Sequence, residues 1–284
     1  MKNCLIVVNT DKAQSEMLGI EAANFLKTRG VGYTFLDFNG NEQECDWKSF
    51  DFVITLGGDG TVLFAARGAA KYSIPVFPVN LGEFGFIAGV QPEEWEKSLE
   101  LFLQGKLNTV RRTMLCAEIF REKKSVARYQ ALNDIVVSAK SAAQTISMDI
   151  SVNETPLGRI KADGAIVSSP TGSTAYSASA GGPIVGPDLD ALVLTPLNPF
   201  SLSARPIVFS TRALLTAQLI PSRNRDAILT VDGQKPIDLK DYDIIQIKKS
   251  EHDAILAGTS VEKFYNALHN KLNWSGGPNG GSNA

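Results

Sequence analysis

The sequence predicts two domains of different class: a parallel α/β domain, then a β-rich, sandwich-like one. Three observations predict this. Short uncharged apolar runs alternate with helical periods over the first hundred residues. From about Thr109 the helical periods give way to short strands separated by turn residues. The length, 284 residues, suits two domains of about 100–200 residues each.

Cys4-Leu5-Ile6-Val7-Val8 reads as a first buried strand. Asp11 is the expected cap of the next helix, whose Leu18, Ala22, Phe25 and Leu26 fall on one face of a 3.6-residue period, with Gly30 as its stop. Residues 33–38, 52–56 and 74–79 read as three more strands, with an Ala- and Leu-rich helix over 62–70. Strand–helix–strand order with uncharged strands argues for a parallel, Rossmann-like sheet. Residues 80–87 interleave glycine with phenylalanine, either as a loop under a ligand or as a buried connection. Pro92 opens a helix that runs through Leu103 and stops at Gly105.

In the second half the expected strands are 115–120, 134–138, 146–152, 165–168, 192–195, 206–209, 214–220, 227–231 and 242–248. A helix follows over 260–270, with Val261, Phe264, Tyr265 and Leu268 on one face. The expected division is an α/β domain at 1–108, a β-rich domain at 109–260, a C-terminal segment at 261–274, and a disordered tail at 275–284 rich in Gly and Asn.

Composition excludes several classes. With 28 basic against 30 acidic residues, the chain has no polyelectrolyte footprint for nucleic acid. Three scattered cysteines form neither a disulfide framework nor a zinc spacing and suit a reducing cytosol, so a cytoplasmic location is expected. Two histidines, His252 and His269, argue against a Ser-His-Asp triad or a histidine metal site. No apolar run approaches the roughly 18 residues of a membrane span, and Met1-Lys2-Asn3 leaves no room for a signal peptide.

The chemistry centres on Gly57-Gly58-Asp59-Gly60-Thr61, at a strand-to-helix turn. Its glycines allow positive φ and close approach of a ligand to the backbone, and the free amides of the helix start suit phosphate. Asp59 reads either as a helix cap or as a working carboxylate, one that takes a proton or holds a metal ion. The turn is neither a Walker A loop nor Gly-x-Gly-x-x-Gly.

Residues 168–183 carry a run of Ser, Thr, Gly and Ala with a lone Tyr176. They suggest a short helix over 173–180 whose N-terminus offers hydroxyls and amides to phosphate or ribose, with a plain linker as the alternative. Lys161 and Asp163 share one face if extended, or simply mark the end of a hairpin. Asn133-Asp134 suits the two hydroxyls of a ribose, or is simply a turn. Asp232-Gly233-Gln234 is by default a hairpin turn.

Together Gly57–Thr61, Asn133-Asp134, Thr171-Gly172-Ser173-Thr174-Ala175-Tyr176-Ser177, Leu202-Ser203-Ala204-Arg205-Pro206 and Asp232-Gly233-Gln234 resemble the bacterial NAD kinase family, from about Leu5 to Trp274. The first motif is shared with diacylglycerol and sphingosine kinases and phosphofructokinases, whereas the second and third together are specific. The resemblance implies an α/β domain, a β-rich NAD-binding domain and a C-terminal segment returning to the first. It implies transfer of phosphate from ATP, or from polyphosphate, to the adenosine-ribose 2′-hydroxyl of NAD. A divalent metal cation, magnesium, would take part, and the protein would be a homo-oligomer, a dimer or a tetramer. By the same resemblance Asp59 is the base, and Gly57, Gly58, Gly60 and Thr61 receive phosphate. Asn133 and Asp134 hold the adenosine ribose, and Asp163 faces the nicotinamide end. Thr174, Ala175, Tyr176, Ser177, Ala178 and Ser179 line the NAD pocket, partly across a subunit interface, and Gln144, Lys161 and Gln234 are further contacts. Asp134 stands where Glu is common in the family, and Phe200 where histidine is frequent. The rivals are a lipid kinase of the diacylglycerol type and a non-catalytic dinucleotide-binding sensor.

Overall fold

The computed structural model describes residues 2–41, 43–82, 85–141, 143–221 and 226–272. The predicted disorder of the tail therefore falls outside the described residues. The chain divides into two compact units, Met1–Arg111 with Ala254–Ala284, and Arg112–Asp253.

The first unit begins with β1 (Asn3–Asn9), α1 (Ala13–Thr28), β2 (Gly32–Phe38), β3 (Phe52–Gly57), α2 (Asp59–Ala70) and β4 (Pro75–Asn80). It continues with α3 (Trp95–Leu103) and β5 (Thr109–Arg112). Its sheet has the order β2-β1-β3-β4-β18-β5, with β18 (Ala254–Ala257) arriving from the far end of the sequence. Every pairing from β2 across to β18 is parallel. β1, β3 and β4 are buried on both faces, which is why they read as uninterrupted apolar runs. Ile6, Ile54, Leu56, Phe77 and Val79 form a core with Leu18, Ala22 and Leu26 of α1 and Trp95 and Leu99 of α3. α2 buries Val62, Ala65, Ala66 and Ala69, small residues that let a helix lie close to a sheet.

Three helix starts differ from expectation. α1 is preceded by Lys12, with no side-chain cap, while the Asp11 N–H donates to Asn9 Oδ1 at 2.9 Å. α2 starts one turn early, at Asp59, with Gly58 in the cap position. Pro92 opens a 3₁₀ turn, Pro92–Glu94, held by a capping box between Gln91 and Glu94, and α3 proper starts at Trp95.

After β18 comes α5 (Val261–Leu272), where the Ser260 hydroxyl accepts the Lys263 N–H at 3.2 Å. Phe264 is buried, Val261 and Leu268 are half-buried, and Tyr265, expected on the same face, is 55% exposed.

The second unit is a sandwich of two six-stranded antiparallel sheets. One has the order β10-β9-β14-β17-β6-β7, built from β6 (Leu115–Arg121), β7 (Lys124–Ala131), β9 (Ile146–Val152), β10 (Thr155–Ala162), β14 (Leu215–Ile220) and β17 (Ile244–Lys249). The other has the order β13-β12-β11-β8-β15-β16, built from β8 (Asp134–Ala139), β11 (Gly164–Ser168), β12 (Ala191–Leu197), β13 (Ile207–Ser210), β15 (Ala227–Val231) and β16 (Ile237–Leu239). Alternate residues face one shared core: Leu115, Ala117, Ile119, Met148, Ile150 and Ile245 from the first sheet, Ile135, Val137, Val167, Leu194 and Leu229 from the second. The strands absent from the sequence reading are β5, β7, β10, β16 and β18. Of these β7 and β10 are sheet edges rich in exposed polar residues, so they lack the apolar alternation that signals a strand. Among the described residues no helix is long and apolar enough to cross a membrane.

Candidate functional site

In the first unit the glycine-rich turn sits at the carboxyl end of β3, where open parallel sheets receive ligands. None of Gly57, Gly58 and Gly60 has a positive φ. They matter through space. A Cβ on Gly57 would lie 2.3 Å from Thr61 Oγ1, whereas Gly58 and Gly60 have open space where a side chain would be.

Asp59 is the first residue of α2 and does not cap it; its carboxylate turns to the following loop. Oδ2 accepts the N–H of Phe86 at 2.9 Å and Oδ1 that of Ile87 at 3.3 Å, and the N–H of Ala88 contributes as well. Burial pushes its carboxyl above the ordinary value, and these amides with the Lys271 ammonium pull it partly back. Residues 86–88 are thus the seat of the carboxylate, and Glu83 and Phe84 lie outside the described residues. Asn80 Oδ1 accepts the Gly82 N–H at 3.1 Å, and Lys12 Nζ donates to Leu81 O at 2.6 Å beside this turn.

In the second unit Asn133 and Asp134 enter β8 and are buried. Asp232, read from the sequence as a plain hairpin turn, organises them. Its Oδ2 accepts the Leu132 N–H at 2.9 Å, and its Oδ1 accepts those of Asn133 at 2.7 Å and Asp134 at 3.1 Å. The Asp232 N–H in turn donates to Asp134 O at 3.0 Å. Burial, and secondly the neighbouring Asp232 charge, push the Asp134 carboxyl up to about 7.

The small-residue run lies against this turn. It forms a 3₁₀ turn, Thr171–Thr174, then one α turn, α4 (Tyr176–Ser179), in place of the single helix expected over 173–180. The break is at Ala175, whose ψ is −130°. Gly172 is required here, because a Cβ would fall 2.0 Å from Asn133 O. Several of the expected ligand hydroxyls are engaged internally: Ser173 with Pro170 O, Thr174 with Thr171 O, and Ser177 with Thr195 at 2.9 Å. Asn133 Oδ1, Ser168 Oγ and Thr171 Oγ1, in contrast, are buried with no partner. Such orphaned atoms call for a polar ligand or water. Tyr176 and Ser179 are exposed, and Ala175 and Ala178 half-buried.

Asp163 and Lys161 are not brought to Asn133. Ser168 pairs with Asp134 while Gly164 pairs with Ser138, so Asp163 lies at the opposite end of β11, roughly 17 Å away by strand rise. There Asp163 Oδ2 accepts from Asn198 Nδ2 at 2.9 Å, and Lys161 Nζ is 5.4 Å from the centre of the exposed Phe200 ring. Gln144 precedes β9 and Gln234 follows β15, both half-buried.

Residues 132–258 match the model of the ATP-NAD kinase C-terminal domain, and residues 42–107 that of the N-terminal domain. An NAD kinase of Treponema denticola is 45% identical over 97% of this chain and 98% of its own. The chain belongs to the NAD kinase family. An NAD kinase of Solibacter usitatus is 39% identical to this kinase over 96% of this chain and 98% of its own. The crystal structure of an NAD kinase from Archaeoglobus fulgidus in complex with ATP is similar with a TM-score of 0.76 at 28% identity, over 93% of this chain and 96% of that one. A yeast NADH kinase complexed with NADH shares the fold, with a TM-score of 0.83 at 21% identity over 99% of this chain and 90% of that one. These likenesses support neither the lipid kinase nor the dinucleotide sensor.

Lys12 and Lys271 escaped the sequence reading, and Asp232, quoted there within a motif, was given no role beyond a turn. An Asp-Gly pair between strands is an ordinary turn signal, and single lysines carry no pattern.

Proposed function

We propose that in this NAD kinase Asp59 accepts the proton of the adenosine-ribose 2′-hydroxyl of NAD as that oxygen attacks the γ-phosphorus of ATP. The new bond joins the 2′-oxygen to phosphorus, the bond to the β,γ-bridging oxygen breaks, ADP leaves, and the proton passes from Asp59 to solvent. Transfer of this kind has a loose transition state, so positioning and charge neutralisation carry most of the catalysis. A base in this role contributes roughly 10²–10⁴-fold. The observation that supports it is the carboxylate itself: it does not cap its helix, it is aimed by loop amides, and burial raises its proton affinity.

Gly57, Gly58, Gly60 and Thr61 receive the phosphates, the open space at Gly58 and Gly60 suiting close approach. Polyphosphate would use the same turn. Asn133 and Asp134 hold the adenosine ribose, a role supported by the buried, unpartnered Asn133 Oδ1 and Thr171 Oγ1. Thr174, Ala175, Tyr176, Ser177, Ala178 and Ser179 form the wall of that pocket, Ser177 through its backbone setting. Asp163 and Lys161, at the other end of β11, suit the distant nicotinamide half of an extended dinucleotide, and Gln144 and Gln234 are outer contacts.

Among the described residues no group of three or more His, Cys, Asp or Glu side chains could hold a metal ion. The divalent cation, magnesium, enters with the nucleoside triphosphate as part of that substrate. The assembly is a homo-oligomer, a dimer or tetramer, acting in the cytoplasm. Its contact surface is the second unit's exposed apolar set: Phe200 at 81% exposure, Leu202 at 87%, and Ile207 and Val208 on the edge strand β13.

The test is to follow NADP formation from ATP, magnesium and NAD in a dehydrogenase-coupled assay. Asp59→Asn should abolish turnover with NAD binding kept within about tenfold, whereas Asn133→Ala should raise the NAD Michaelis constant by one to two orders of magnitude, about 1–3 kcal/mol. A fully active Asp59→Asn enzyme would remove Asp59 from the chemistry. An Asn133→Ala effect confined to ATP would reverse the two substrate sites.

A further inference from the structure

α5 holds the segment that holds Asp59. Lys263 Nζ donates to Gly89 O at 2.6 Å and to Gly258 O at 2.9 Å. Eight residues further along the same helix, Lys271 Nζ donates to Gly85 O. Between them the buried Phe264 ring lies 6.3 Å from that of Phe86, and the Lys271 ammonium is 5.9 Å from the Phe86 ring centre. The two lysines therefore grip the two ends of residues 85–89, and the N–H groups within those residues, from Phe86, Ile87 and Ala88, are the ones the Asp59 carboxylate accepts. There is no slack at this point: a Cβ on Gly85 would lie 2.9 Å from both Asp59 Oδ1 and Asn80 Oδ1.

We infer that α5 is the positioning element of the catalytic carboxylate, with Lys271 as a positioning residue that anchors the amide loop beside Asp59. The inference rests on Asp59 being the base. The charged groups around it are few among the described residues. Lys271 comes from α5. Lys12, at the start of α1, lies against Leu81 and Gly82. Lys263 and Glu94 pair with each other at 3.5 Å beside Gly89. Lys271 is the charge that acts on the carboxylate, against a burial that favours the neutral acid. Removing it should leave the acid form populated to higher pH, and an acid form cannot take the hydroxyl proton.

The experiment compares Lys271→Gln, Lys271→Arg and Lys263→Gln in the full chain. The Asp59 carboxyl carbon is followed by NMR in aspartate-labelled protein, assigned with Asp59→Asn, and the pH dependence of kcat/KM is followed in parallel. In Lys271→Gln the carboxyl titration and the acid limb of the rate profile should both move to higher pH, with the NAD Michaelis constant unchanged. Lys271→Arg should restore both. Lys263→Gln should lower kcat without moving the titration, since its charge stands at Gly89. An unmoved Asp59 titration in Lys271→Gln, or one that Lys271→Arg fails to restore, would overturn the inference. So would an equal shift in Lys263→Gln. The titration reads the coupling directly, so it remains decisive even if Asp59→Asn proves active and the assignment of the base fails.

Discussion

Asp232→Asn replaces one oxygen by NH₂ at the point where three backbone donors converge. In the native chain Oδ1 accepts two N–H groups and Oδ2 the third. An asparagine oriented to keep the pair from Asn133 and Asp134 sets its own NH₂ against the Leu132 N–H, leaving a buried donor without an acceptor, a cost of about 1–3 kcal/mol. The two surviving bonds lose their charge assistance, which roughly halves them. Removing the negative charge also relieves Asp134, whose carboxyl is raised first by burial and second by Asp232. That relief operates only where Asp134 is ionised, so it offsets part of the loss at pH 8 and none at pH 5.5. The expected result in urea unfolding is a loss of about 2–4 kcal/mol at pH 5.5 and a smaller loss at pH 8. It should be accompanied by a raised Michaelis constant for NAD and an unchanged one for ATP. A variant as stable as the native chain at pH 5.5 would refute the account of Asp232 as the anchor of this turn.

Asp134 carries its own pH dependence. Its folded value of about 7 lies above the ordinary carboxylate value of the unfolded chain, so its contribution to stability is fully present below that ordinary value and is lost as pH rises through about 7. Thermal melts of the ligand-free protein should therefore show Asp134→Asn narrowing the stability difference between pH 5 and pH 8, and an unaltered difference would contradict the burial assigned to this side chain. Gly172→Ala places a Cβ 2.0 Å from Asn133 O, so Asn133 must move; the NAD constant should rise at least about tenfold with ATP unaffected, read in the same coupled assay. A chain ending at Ser260 loses α5, with Phe264 fully buried and worth roughly 1.5–3 kcal/mol, besides the lysine bonds to Gly85 and Gly89. Gel filtration and melting should show aggregation or a lowered Tm, and a soluble, active chain of that length would sink the assignment of α5 as part of the first unit.

Much of the architecture was legible because it rests on short-range pattern. β1, β3 and β4 are apolar runs of strand length, and the core strands of the sandwich alternate with period two. Edge strands such as β7 and β10 were not legible, since a strand that buries little of either face has no reason to alternate. The predicted helix at 173–180 failed for a related reason. Small residues permit a helix without demanding one, and contacts of the segment with Asn133 and Thr195 decide its broken path.

The sequence by itself determined which residues are candidates for the chemistry. Gly57–Thr61, Asn133-Asp134 and the run from Thr171 are local strings whose residue types have few other uses together. How those residues are tuned was decided only by the tertiary structure. Asp59 could be read as a cap until the loop 86–88, some 27 residues away, was seen to take its carboxylate. Asp232 could be read as a turn until its oxygens met amides about 100 residues earlier. Lys271 acts on Asp59 from the far end of the chain. Each of these is a contact of high sequence separation. Local spacing records what a backbone can form within a few residues, whereas the charge, burial and orientation of a side chain depend on what distant segments bring to it.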